Sequence, residues 1–383
     1  MQITFGTRLR SSVLAGCALV VAAVLVVSSI ASPLAAAGLP TLASQSAATQ
    51  SAPQQTSPAP GQPSATIEIH RGSQPNPLVA PRNETVATAG IRWVELVGVL
   101  TLVGAVIYRL FIQHEAGLTE AVAAESADRA RRVTLAALVL FFVATLTRLV
   151  AQANIIASPS TGRFDAILSI VRETGWGHGW IIGIVGALLM VAGMVAGRGS
   201  FVGWVIAGLG VVAIATSEAL TGHAAATPHR LPLAVSLDVA HVLGAGGWLG
   251  GLVALVLCGL PSIQTLAEDE RPRAGSRLVR AYHHATVDSV TVVVITGLVA
   301  AWLRLGTLSA LWTTPYGNML TRKLVFVVVL LGLGAYHWRS AVRPDWDADT
   351  KFRFKRSATV ELLVGGVIVA FTAALIGMTF PTL

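Results

Sequence analysis

Eight apolar runs succeed one another from residue 91 onward, each near the roughly 20 residues that an α-helix needs to cross hydrocarbon. They fall at 91–113, 133–155, 177–197, 201–221, 234–259, 285–306, 321–341 and 358–380. Barrel strands would alternate polar and apolar residues in segments of about 10. These runs are longer and apolar on every face, as membrane-spanning helices are. Charged residues are only 12% of the chain, against roughly 25% in a soluble domain, so there is too little polar surface to stay in water. The expected fold class is all-α, a polytopic membrane helix bundle with about eight transmembrane helices behind an N-terminal signal or anchor segment.

Arg8 and Arg10 precede the apolar run from Ser11 to Ala37, the order of charge and hydrophobicity in a signal peptide or anchor. Leu14-Ala15-Gly16-Cys17 has the letters of a lipoprotein cleavage box, but the apolar core follows Cys17 instead of preceding it. Residues 38–89 are rich in Ser, Ala, Pro, Gln and Thr. That composition buries too little apolar area to offset chain entropy, so a disordered extracytoplasmic tether is expected there. Residues 90–383 form the expected transmembrane domain.

The net charge of +8 does not point to nucleic acid, because the basic residues sit in short loops between apolar runs, where they set orientation. With Arg8 and Arg10 inside, the inside loops carry Arg129, Arg131 and Arg132, then Arg198, then Arg271, Arg273, Arg277 and Arg280. The last holds Arg343, Lys351, Arg353, Lys355 and Arg356, whereas the outside loops hold only Arg163, Arg172 and Arg230. A multi-pass protein of the cell membrane is expected, with the tether and the C-terminus extracytoplasmic. Cys17 and Cys258 are the two cysteines, too few for a disulfide framework or a paired-cysteine metal site.

Ionisable side chains inside membrane helices are costly, so each is a candidate for function. Glu95, Arg148, His178, Glu218, His223, His229, Asp238, His241, Arg304 and Lys323 fall toward the outer face. His283, His284, Asp288 and His337 fall toward the inner one. The sharpest pattern is Asp238-Val-Ala-His241 followed by Gly244, Gly246, Gly247, Trp248, Gly250 and Gly251. Spacing of i, i+3 puts Asp238 and His241 on one helix face, where a carboxylate can orient an imidazole as it does behind metal-ligating histidines. The glycines let a neighbouring backbone approach closely. The plainer account is helix packing, with Asp238 favouring a helix N-terminus.

His223, His241, His178 and His229 are the candidate metal ligands, with Asp238, Glu218 and Trp248 in support and His283, His284 and His337 as a possible inner exit. Imidazole suits copper, zinc, iron or nickel. Met190 and Met194 share a helix face, but methionine is a common gap-filler and packing explains them better. Cys258 is better explained as a buried thiol than as a ligand. No phosphate loop, His-Glu-x-x-His or nucleophile elbow occurs, so no enzyme is expected.

Thr221-Gly222-His223-Ala224, Asp238-x-x-His241 and Trp248-Leu249-Gly250-Gly251 resemble the membrane domain of the copper resistance protein D (CopD/PcoD) family. So do Thr296-Gly297, the element Thr314-Pro315-Tyr316-Gly317-Asn318-Met319-Leu320 with Lys323 after it, and the closing helix past Arg356 and Glu361 to Phe380-Pro381. The resemblance covers roughly residues 90 to 383. It implies an eight-helix cell-membrane protein for copper ion transport, inward, or for copper tolerance, with copper as the metal. It also implies a CopC-like extracytoplasmic copper-binding protein as partner. That partner would be separate, since the tether is too short for a sandwich of about 100 residues. The competing expectation is an electron carrier holding b-type haem between two histidines, with His178 and His241 at similar depth.

Overall fold

The structure is a computed structural model describing residues 86–158, 162–197, 200–222, 231–341 and 348–378. The expected signal or anchor segment 1–37 and nearly all of the tether 38–89 lie outside the described residues, as do His223, His229 and Pro381. The described chain is helical without a strand. Its helices are α1 (Val86–Glu115), α2 (Glu120–Ile156), the short α3 (Arg163–Glu173), α4 (Gly175–Ala196) and α5 (Phe201–Thr221). Then come α6 (Pro232–Thr265), α7 (Arg271–Leu305), the single turn α8 (Ala310–Thr313), α9 (Pro315–Ala341) and α10 (Ala348–Gly377). Among the described residues, eight helices are long and apolar enough to cross a membrane.

Local chemistry sets where several of them begin and end. Thr174 and Ser200 accept from the Gly177 and Gly203 amides, 2.9 and 3.2 Å away, capping α4 and α5. Thr314 caps α9 in the same way through the Gly317 amide at 3.0 Å, and Pro315 opens that helix where a missing N–H costs nothing. Gly306 ends α7 at φ 67°, a backbone state that glycine adopts without strain.

The centre of the bundle is α1 against α6. Of their most apolar stretches, 61% and 72% is buried, against 6% for α7 and 11% for α9. Glycine makes that contact possible: a Cβ on Gly104 of α1 would fall on the Gly250 backbone of α6. The same device joins α4 to α5, where a Cβ on Gly186 would lie 2.6 Å from the Gly210 carbonyl oxygen. With no hydrophobic drive between helices in lipid, close backbone packing of this kind supplies the attraction. Ile295, Leu298 and Trp302 on α7 and Val325 and Val328 on α9 stay exposed, the pattern of side chains that face acyl chains.

All eight expected runs are present, but their limits differ. The helix expected at 133–155 begins at Glu120, that at 285–306 begins at Arg271, and that at 358–380 runs from Ala348 to Gly377. The basic stretches expected as loops around Arg129, Arg277 and Arg353 are therefore helical. Hydropathy marks where a helix meets hydrocarbon, whereas its hydrogen bonds continue into polar turns beyond. Arg129 and Arg132 pair with Glu125 and Asp128 four residues earlier, at 2.7 and 2.9 Å, and so support the polar end of α2. The segment around Arg163 and Arg172, expected as a loop, is the amphipathic helix α3, which turns Ala166 and Ile170 inward.

Candidate functional site

Helices that follow one another in opposite directions bring particular ends together. The start of α1, the end of α2, the starts of α4 and α6, the end of α7 and the start of α9 share one end of the bundle. Two polar clusters lie there. The first joins α1, α2, α4 and α5. Glu95 and Arg148 form a buried ion pair, and the Arg148 guanidinium sits 5.6 Å from the centroid of the Trp176 ring. Arg92 donates to the Thr221 carbonyl at 3.3 Å, and Glu218 is buried beside these groups.

The second cluster joins α6, α7 and α9. Arg304 donates to both oxygens of Asp238 at 2.8 Å, and the pair is about one-fifth exposed. Tyr316 borders the Arg304 guanidinium. The part-buried His241 meets Thr296 through Nδ1 and Oγ1, 3.0 Å apart. A Cβ on Gly297 would lie 3.3 Å from His241 Cε1, so the glycine lets the ring edge lie against α7. Lys323 of α9 is near enough to act electrostatically on His241, Asp238 and Arg304.

The carboxylate expected behind His241 is thus engaged elsewhere: Arg304 takes Asp238, and Thr296 stands against the imidazole. Trp248 is buried, packed with Leu330 of α9 and Ile368 of α10. It lies in the π-helical turn Gly246–Gly250, and its carbonyl accepts from the Tyr282 hydroxyl at 3.1 Å. His178 caps neither cluster; its Nε2 lies 3.2 Å from the Arg172 carbonyl at the end of α3. His178 and His241 are therefore turned to different elements. Met190 and Met194 are fully buried in the main core, as packing residues are, and so is Cys258.

At the opposite end, His284 Nδ1 is 2.6 Å from Glu115 Oε1, with Asp288 close to both. The His283 and His284 rings are 6.3 Å apart. His337 is placed on α9. Among the described residues, no three or more His, Cys, Asp or Glu side chains converge into a group that holds a metal. Thr296, Arg304, Lys323 and Arg148 were not singled out as site residues by local spacing. Their charge or hydroxyl inside an apolar run was the available signal, but the partners of Arg148, Thr296 and Arg304 lie 53 to 66 residues away.

Eight apolar helices with ion pairs and a part-buried imidazole at one end define a multi-pass, all-α membrane protein set in a lipid bilayer. The family pattern described as "Copper resistance protein D-like, N-terminal domain" matches residues 83–229, and that described as "Copper resistance protein D" matches residues 276–375. The chain belongs to the copper resistance protein D family. Thr296, Arg304 and Lys323 fall inside the second match, whereas Asp238, His241 and Trp248 fall between the two. The chain is 26% identical over 259 residues to "Copper transport protein CutJ" of Bacillus subtilis (strain 168), covering 66% of this chain and 46% of that protein. It is 30% identical over 173 residues to "Copper resistance protein D" of Pseudomonas syringae pv. tomato, covering 43% of this chain and 54% of that protein. The chain spans about half the length of these curated relatives. No solved structure matches it.

Proposed function

We propose that this protein carries copper ions across the cell membrane, inward, and thereby serves copper supply or tolerance without catalysing a reaction. The observation that carries the reading is the placement of His241. It is an imidazole on the most buried helix, held by a hydroxyl of α7, in a chain whose relatives bear the names of copper transport and copper resistance proteins. Imidazole nitrogen is a fitting donor for copper. His223 and His229, in the stretch between α5 and α6, complete the proposed donor set.

Basic residues gather at the His284 end of the helices, at Arg129, Arg131, Arg132, Arg277 and Arg280. The positive-inside rule turns that end to the cytoplasm and the His241 end outward. His283, His284 and His337 then flank the proposed exit, and a separate CopC-like protein would hand copper to the outer end. A bis-histidine haem requires two imidazoles facing across one gap. The different partners of His178 and His241 give that arrangement no support.

The test is uptake of isotopic copper by cells expressing the wild type or His241→Ala, at matched protein levels. The expected result is uptake into wild-type cells and loss of most of it in the variant. Uptake unchanged by His241→Ala would remove the central residue from the mechanism. A haem absorption band stoichiometric with purified protein would favour the electron carrier instead.

A further inference from the structure

The contacts around Thr296 assign a proton. Its hydroxyl oxygen lies 2.6 Å from the Val292 carbonyl of its own helix, 3.3 Å from the Val293 carbonyl and 3.0 Å from His241 Nδ1. A hydroxyl has one proton to give, and a carbonyl can only accept. The 2.6 Å contact is the back-bond that threonine makes to the carbonyl four residues earlier, and it takes that proton. Toward His241 the oxygen presents lone pairs alone, so a hydrogen bond there requires the proton to sit on Nδ1.

From this we infer that Thr296 is a positioning residue: it holds His241 as the neutral Nδ1–H tautomer and leaves Nε2, with its lone pair, as the nitrogen that ligates copper. Gly297 contributes by allowing the Nδ1–Cε1 edge of the ring to lie flat on α7. In a neutral imidazole one nitrogen donates and the other accepts, and the bond made by one fixes the role of the other. The assignment of Nε2 as ligand rests on the copper reading proposed above. The tautomer itself does not.

The experiment separates the two. Protein labelled with ¹⁵N-histidine is purified without copper, and the His241 signal is identified by its loss in His241→Gln. The wild type and Thr296→Ser are expected to show a protonated Nδ1 and a bare Nε2. Thr296→Val, nearly isosteric but without the hydroxyl, keeps the Val293 carbonyl beside the ring but is expected to shift part of the population to the other tautomer. Copper affinity, measured by competition with a chelator of known strength, is expected to fall about 10- to 100-fold in Thr296→Val, the usual cost of removing a residue behind a ligating histidine. It is expected to hold in Thr296→Ser.

A proton on Nε2 in the wild type would overturn the tautomer assignment whatever copper does. A tautomer shift in Thr296→Val with unchanged copper affinity would overturn the positioning role. Unchanged affinity in His241→Gln would instead defeat the copper reading and leave the tautomer standing.

Discussion

The two polar clusters at one end of the bundle differ in how open they are, and that difference favours the second as the proposed site. The Glu95–Arg148 cluster is closed: the glutamate is 1% and the arginine 9% exposed, and an aromatic ring covers the guanidinium. The Asp238–Arg304 cluster is about one-fifth open and lies beside a half-buried histidine. A buried pair in a low-dielectric interior attracts strongly, yet its desolvation penalty cancels much of the gain. The first pair therefore specifies how α1 and α2 dock more than it stabilises them. The second is open enough to respond to the cation proposed to bind at His241.

Breaking the closed cluster should have the largest effect on stability. Glu95→Ala takes the Glu95 carboxylate from the buried Arg148, and removal of one member of a buried pair typically costs about 3–5 kcal/mol. Detergent-solubilised Glu95→Ala is expected to unfold at markedly lower temperature or denaturant than the wild type. The double change Glu95→Leu/Arg148→Met is expected to recover most of the loss, since apolar replacement of both partners is often neutral. If the single and double variants are equally unstable, the pair is not what joins these helices.

The helices of this bundle were legible because the turns within hydrocarbon are predominantly apolar, so hydropathy counts them directly. The close approach of α1 to α6 was legible in part. The run of glycines around Trp248 signals a tight crossing, but it does not name Gly104 as the residue opposite Gly250. Helix limits were not legible, because the turns around Arg129 and Arg277 are polar helix projecting beyond the apolar run. Asp238 and His241 were found by local spacing, and their partners were mistaken for one another. Arg304 and Thr296 approach them from α7, 66 and 55 residues away, and periodicity along one helix is silent about which neighbour faces it.

Breaking the open cluster should have a smaller effect on stability and a clearer one on function. Asp238→Asn keeps the shape of the side chain but removes the charge that neutralises Arg304. For a pair of intermediate exposure the cost falls between surface and buried cases, about 1–3 kcal/mol. The variant is expected to remain folded, with copper uptake reduced more than its stability, because Arg304 then adds an uncompensated positive charge near His241. A loss of stability equal to that of Glu95→Ala, with normal uptake per folded molecule, would erase the distinction between the two clusters.

The finest test concerns Lys323. Asp238 and Arg304 cancel each other's charge, so Lys323 leaves the surroundings of His241 with a net positive charge, which opposes a bound metal cation. A unit charge roughly 10 Å from another, at an effective dielectric near 20, is worth about 1.7 kcal/mol. Lys323→Met, which keeps the length and apolar stem of the side chain, is therefore expected to raise copper affinity roughly 10- to 20-fold in a chelator competition at fixed pH. Stability should change little, because Met keeps the packing of the apolar stem at this half-buried position. Tighter binding should also slow release, so transport by this variant is expected to saturate at lower copper and run at a lower maximal rate. Affinity unchanged or weakened in Lys323→Met would place the bound cation away from this lysine, and with it away from the Asp238–His241 end of α6.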